Sequence, residues 1–226
     1  MELKNIVPWG RNMQEYMQIF NLTHNDIVNK KFLGCGDGPS SFNTEVDCEG
    51  GSVVSIDPLY KYSKSEIIAR IDEVKDDILE QVEANKDSFV WKEIESVEAL
   101  ENVRVNAMLE FLMDYNEGKE EGRYIEASLP NLPFKDNTFD IALSSHLLFL
   151  YSEQLNLEFH IKSIEEMLRV AKEVRIFPIV TLKNNRSPHI NEVIEYFKSL
   201  GFNTQIVKSK YEFQKGANEM LVIQHL

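Results

Sequence analysis

Residues 32–42 read FLGCGDGPSSF, with Gly34, Gly36 and Gly38 alternating with Cys35 and Asp37 after a short apolar run. Glycines at a strand end let backbone N–H groups approach a ligand without Cβ clashes. Asp57 closes the next β-branched run, SVVSI, about 21 residues beyond Gly36. A carboxylate at that point can accept hydrogen bonds from both hydroxyls of a ribose. The pair fits NAD, FAD and S-adenosylmethionine equally well. It also fits a plain turn followed by an N-cap aspartate. The elements around it decide which.

The 226 residues are long enough for one domain with an elaboration, and 43% apolar content supports a sizeable core. A formal charge of −13 argues against a nucleic-acid surface, whose affinity comes mostly from neutralising phosphates, and against an anionic membrane surface. The two cysteines, Cys35 and Cys48, form no CxxC, and no His/Asp/Glu cluster suggests a metal, so none is expected. MELKNIVPWGRNM lacks the basic start and apolar run of a signal peptide. No stretch approaches a membrane span. A reduced, cytoplasmic chain is the expectation.

Met13, Tyr16, Met17 and Phe20 share one helical face, and Thr23 caps a further turn, so residues 1–29 form an N-terminal helical segment. A strand is expected at 31–34, a helix from Ser40, and a strand over 52–56. Between 61 and 122 the chain turns helical and acidic, with Ile67, Ile71, Val74, Ile78 and Val82 at helical spacing. This is far longer than the usual link between parallel strands, so it reads as a helical insertion and a candidate lid within a single domain, 1–226. Strand–helix alternation then resumes. Strands are expected at 123–126, 141–145 and 174–180, and helices at 155–172 and 188–200, the last stopping at Gly201. The runs 204–208 and 220–224 pair antiparallel. The fold class is therefore α/β, a mostly parallel sheet with helices on both faces.

At three ordered places the sequence resembles the class I S-adenosylmethionine-dependent methyltransferases: LGCGDG (33–38), SIDP (55–58) and ASLPNLPFKDNTFDIALSSHLLF (127–149). With EMLRVAKEVRIF (166–177), the resemblance covers most of 31–182 apart from the insertion. It implies a Rossmann-like seven-stranded sheet with a reversed last strand. It implies S-adenosyl-L-methionine as cofactor and S-adenosyl-L-homocysteine as product. By position, Gly34, Cys35, Gly36, Asp37 and Gly38 would pass under the methionine moiety. Asp57 would hold the ribose, with Pro58 or Leu59 flanking the adenine and Ser128 and Leu129 bordering its edge. Ser144, Ser145 and His146 would face the methionine end and the substrate. Arg11 could pair with the methionine carboxylate.

The sequence departs from the family at three points. Phe32 stands where an acidic residue is usual, Ser128 where Asp is common, and Lys172-Glu173 where a Pro-Gly-Gly turn precedes the fifth strand. His146 is the best-placed proton acceptor, because a histidine titrates near neutrality. Tyr151 lies in the same turn and could position a substrate. Arg70, Trp91 and Arg104 in the insertion are candidates for the pocket wall. The leading expectation is methyl transfer to a small-molecule acceptor. A non-catalytic S-adenosylmethionine-binding protein and a nicotinamide-dependent oxidoreductase are the alternatives.

Overall fold

The computed structural model describes residues 7–225; residues 1–6 of the expected N-terminal segment, and Leu226, lie outside them. Seven strands form one sheet in the order β3-β2-β1-β4-β5-β7-β6. They are β1 Lys31–Cys35, β2 Ser52–Ile56, β3 Tyr124–Ile125, β4 Phe139–Ser145, β5 Ala171–Phe177, β6 Asn203–Lys208 and β7 Glu219–Gln224. The first five pair in parallel, while β7 runs antiparallel to both β5 and β6. Chain order reverses beside β1, whose neighbours are β2 and β4. Ligands of open α/β sheets bind at this switch point, beyond the carboxyl ends of the strands.

β1 is buried on both faces, and its side chains alternate between two cores. Leu33 joins Ala142, Val174, Met167 and Val193 beneath α6 (Leu157–Val170) and α7 (Ile190–Ser199). Phe32 joins Tyr16, Phe42, Val46 and Ile141 beneath α1 (Met13–Phe20) and α3 (Phe42–Cys48). Phe32 is completely buried and sets its ring edge-on to Phe42. The residue that departs from the family pattern therefore faces the core.

Between β2 and β3 the chain forms two long antiparallel-packed helices, α4 (Lys64–Ala84) and α5 (Val97–Glu120). Ser63 and Glu66 close a capping box that starts α4. α5 packs on α3 and β3 through Phe111, Tyr115 and Tyr124, so it covers the sheet as a crossover helix. α4 lies on α5, and its lower half contributes Val74, Ile78 and Val82 to a separate cluster with Phe89 and Leu100. The short helix α2 (His24–Asn29) carries the expected Thr23 capping box.

Several boundaries shift by one to three residues from the periodicity reading, and three of the shifts have a local cause. The helix expected from Ser40 begins at Phe42, because the Ser40 hydroxyl donates to the Arg11 carbonyl (2.6 Å) and accepts from the Phe42 N–H. α6 ends at Val170, and β5 starts at once with Ala171, paired to Phe139. The strand expected at 174–180 is accordingly 171–177, and no turn intervenes where the family's glycines would stand.

Candidate functional site

The carboxyl ends of β1, β2 and β4 open onto a cavity of about 790 Å³. Its floor is the glycine loop. Gly36 and Gly38 have φ of +70° and +54°, a region open to glycine at no steric cost. The Gly36 N–H donates to the Ile56 carbonyl (2.9 Å), tying the loop to β2. A Cβ on Gly38 would meet nothing within 4 Å, so the backbone there faces open space. That bare backbone on a cavity wall is what a closely apposed ligand requires.

Asp57 ends β2. Its Oδ2 accepts from the Gly38 N–H (3.0 Å) and its Oδ1 from the Leu59 N–H (2.7 Å). It thus caps the 3-10 turn Pro58–Lys61 and braces the loop at once, and each oxygen keeps a further lone pair. Burial raises its pKa against those two hydrogen bonds.

Asp37 lies at the methionine end of the expected site, 7% exposed. Its carboxylate accepts from Tyr16 Oη (2.8 Å) and Ser55 Oγ (2.6 Å). Burial pushes its pKa up to about 6, with the Asp57 charge adding to the rise against those hydrogen bonds. Tyr16 is held in place by stacking on Phe42, 4.4 Å between ring centroids. Phe32, at the sequence position where the family usually has an acidic residue, joins Tyr16 and Phe42 in an aromatic set, and the Asp37 carboxylate lies in the loop that follows.

His146 follows β4 with φ +55°, a left-handed conformation for a non-glycine residue. Its N–H donates to the Phe177 carbonyl (2.6 Å), and its ring packs against Phe177 and Tyr211. Ser145 Oγ engages Nδ1 at 2.9 Å. Burial, then the charges of Arg11 and Arg104, hold its pKa well below the usual histidine value, so the ring is neutral near pH 7. Strained backbone of this kind concentrates at functional sites.

Arg104 from α5 is 1% exposed and pairs with Glu15 through Nη1, while its Nη2 donates to Tyr211 Oη (3.2 Å). Arg11 donates only to the Trp9 carbonyl (3.2 Å). The Nε atoms of both arginines are buried without a partner. Burial, then the Arg104 charge, lowers the Arg11 pKa. Two guanidinium groups therefore lie near one another at this corner of the cavity, and Glu15 pairs with that of Arg104.

Of the residues singled out from the sequence, Arg11, Gly36, Asp37, Gly38, Asp57, Pro58, Leu59, Ser128, Leu129, Ser145, His146 and Tyr151 all line the cavity. Gly34, Cys35 and Ser144 do not. The Asp37 carboxylate covers Gly34, while Cys35 and Ser144 are fully buried at the ends of central strands. Arg70 and Arg104 reach the wall and Trp91 does not; Trp91 packs on Phe89 and Phe213 instead. Sequence reasoning missed Tyr16, Glu15 and Tyr211, whose roles arise from contacts 21 to 196 residues apart in sequence. It also missed the roof of the cavity. There the Val90 N–H donates to the Phe213 carbonyl (2.7 Å), and the Ser88 carbonyl accepts from the Lys215 N–H (2.9 Å). Among the described residues no group of three or more His, Cys, Asp or Glu is placed to hold a metal ion. No helix among them is long and apolar enough to cross a membrane.

Comparison with known proteins follows this geometry. Residues 96–174 match a family described as a methyltransferase domain. The match begins at Ser96, the N-cap of α5. An uncharacterized protein of Methanocaldococcus jannaschii is 34% identical over 224 residues, covering 99% of this chain and 98% of its own length. Among solved structures, magnesium protoporphyrin IX methyltransferase from Synechocystis with bound S-adenosylmethionine superposes with a TM-score of 0.51 at 11% identity. That superposition covers 95% of this chain and 79% of the other, a likeness of fold. A S-adenosylmethionine-dependent methyltransferase from Aquifex aeolicus gives 0.44 at 14% identity, over 94% and 93% of the two chains.

Proposed function

The chain belongs to the class I S-adenosylmethionine-dependent methyltransferases, and we propose that it transfers a methyl group from this cofactor to a small molecule enclosed in the cavity. One observation carries the reading. The loop glycines Gly36 and Gly38, the latter with bare backbone facing open space, and the carboxylates of Asp37 and Asp57 line one continuous cavity with His146. In this reading one ligand sets its ribose against Asp57 and its methionine ammonium against Asp37, with His146 as the proton acceptor beyond. A cavity of about 790 Å³ for cofactor and acceptor together lies within the range of small-molecule sites, which supports a small acceptor.

When bound, S-adenosylmethionine supplies an activated methyl group on a sulfonium, so the chain's own task is placement of the acceptor and removal of a proton. In this reading Asp57 accepts from the ribose hydroxyls through its free lone pairs, and Pro58, Leu59, Ser128 and Leu129 enclose the adenine. Asp37 opposes the methionine ammonium in place of an acid on β1, and Arg11 opposes the methionine carboxylate. His146 is neutral, and its Nδ1 is engaged by Ser145, so Nε2 is left to take a proton from an acceptor hydroxyl or amine. Tyr151 borders the same space and orients the acceptor. The segment 61–122 acts as a lid through α4 and residues 88–90, excluding water from the site.

Isothermal titration with S-adenosylhomocysteine tests the reading. Saturable micromolar binding is expected, weakened by Asp57→Ala. Binding of reduced nicotinamide dinucleotide with no response to S-adenosylhomocysteine would overturn it.

A further inference from the structure

The half of the cavity beyond the glycine loop has a distinct chemistry. Its walls come from Ile78 and Val82 on α4, Leu100 on α5, Phe89, Phe213 and Leu182. These side chains close on one another at the roof, where Phe89 and Phe213 stack with centroids 4.9 Å apart. At one corner of this chamber stands Arg104, one helical turn beyond Leu100. The Arg104 guanidinium is pinned at both ends, by Glu15 and by the Tyr211 hydroxyl, and the Tyr211 Oη in turn donates to Glu15 Oε1 (3.1 Å). Its Nε–H remains buried with no acceptor. Buried donors of a charged group are almost always satisfied, so this one calls for an oxygen that the chain does not supply.

The charge count points the same way. Arg11 lies near Arg104, which pairs with Glu15, and the cofactor's amino-acid end is a zwitterion that brings no net charge. With Asp37 opposing its ammonium and Arg11 opposing its carboxylate, Glu15 alone faces Arg104. Low-dielectric apolar walls strengthen the field of the guanidinium at this corner.

We propose that the methyl acceptor is a largely apolar small molecule bearing one carboxylate or comparable anionic oxygen, which is received by Arg104 at the apolar end of the cavity. This rests on the cofactor reading above and goes beyond it by naming the acceptor class. The anion would orient the acceptor so that its nucleophile points back toward His146. Because the guanidinium is already held in a fork by Glu15 and Tyr211, little side-chain entropy is lost when the anion docks.

Matched pairs of probes test the proposal on the full-length chain saturated with S-adenosylhomocysteine. Benzoate, 3-phenylpropionate and octanoate are titrated beside their uncharged amides. At least one acid is expected to bind about 10-fold or more tightly than its amide, the scale of one charge-assisted hydrogen bond. Arg104→Gln is expected to abolish that preference while leaving amide binding unchanged. Equal binding of every acid and amide, or no acid binding at millimolar concentration, overturns the proposal. Acids that compete with S-adenosylhomocysteine also overturn it, since the anion site would then be the cofactor's own. If Arg104→Gln does not fold, the acid–amide comparison on the unaltered chain still decides. If S-adenosylhomocysteine itself fails to bind, the cofactor reading falls, and the same comparison on the free protein still judges the anion site separately.

Discussion

The carboxylate of Asp37 fills the space that a side chain on Gly34 would need. A Cβ at position 34 would lie 1.7 Å from Asp37 Oδ2 and 2.3 Å from its Cγ. Gly34 therefore serves the loop without touching the cavity: it leaves room for the acid that Tyr16 and Ser55 hold. Gly34→Ala is expected to displace Asp37 from Ser55 and Tyr16, costing about 1–3 kcal/mol of stability by overpacking. It should also weaken S-adenosylhomocysteine binding. A thermal melt and a titration on the same variant check both, and a variant of unchanged melting point that binds normally would show that the crowding is not real.

The raised pKa of Asp37 makes stability depend on pH. Its folded value of about 6 lies above the unfolded 3.8, so between these values the folded chain holds more proton than the unfolded one. The favourable contribution is full below the unfolded value and is lost as pH rises through about 6. Asp37→Asn is therefore expected to stabilise the fold at pH 7.5, by up to about 3 kcal/mol, and to have little effect near pH 3.5. Cofactor affinity of the unaltered chain should fall as pH drops through 6, because a protonated Asp37 no longer opposes the ammonium. Denaturant titrations at the two pH values, with binding measured alongside, provide the check.

Asp57 carries two backbone hydrogen bonds and, in the proposed reading, the ribose. Removing its carboxylate in Asp57→Ala should weaken S-adenosylhomocysteine binding about 10- to 100-fold, the equivalent of one to two charge-assisted hydrogen bonds. Asp57→Asn should lose less, since one acceptor oxygen remains. Calorimetry on the two variants should rank them in that order; equal losses would mean that bracing the loop, not the ribose, is the role of this carboxylate.

His146 is expected to act on turnover and not on cofactor affinity. With an acceptor in hand, His146→Gln should lower kcat by about 10²- to 10⁴-fold, the usual scale of general-base catalysis. Because burial and the two arginines hold His146 neutral well below the usual histidine range, kcat should stay level as pH falls through 6.5. A rate that drops with an apparent pKa near 6.5 would point to a different base.

If α4 and residues 88–90 close over the ligands, amide exchange should report it. Protection at Val90 and Lys215, whose N–H groups join the insertion to the β6–β7 connection, is expected to rise on adding S-adenosylhomocysteine. Protection in β1 and β4, already deep in the sheet, should hardly change.

Much of this molecule was legible from local pattern. Strand and helix periods, the capping box at Thr23, and the ordered motifs at 33–38, 55–58 and 127–149 depend on neighbours a few residues away. From them follow the sheet, its reversed last strand and most of the residues that line the cofactor half of the cavity. The boundary between α6 and β5 was less legible, because Val170 and Ala171 suit either element and only pairing with Phe139 draws the second into the sheet.

What the sequence alone determined is the family, the loop and the carboxylate that follows it, since a tight turn at a strand end demands glycine and the end of the next strand sets where Asp57 stands. Only the tertiary structure decided what holds the acid of the loop. Phe32 turns into the core because alternation along a strand buried on both faces leaves it no other side, and Tyr16 and Ser55, remote in sequence, donate to the Asp37 carboxylate. The same is true of the acceptor end. Glu15, Arg104 and Tyr211 come from three segments with no common pattern, and their charges acquire meaning only once packing has removed them from water.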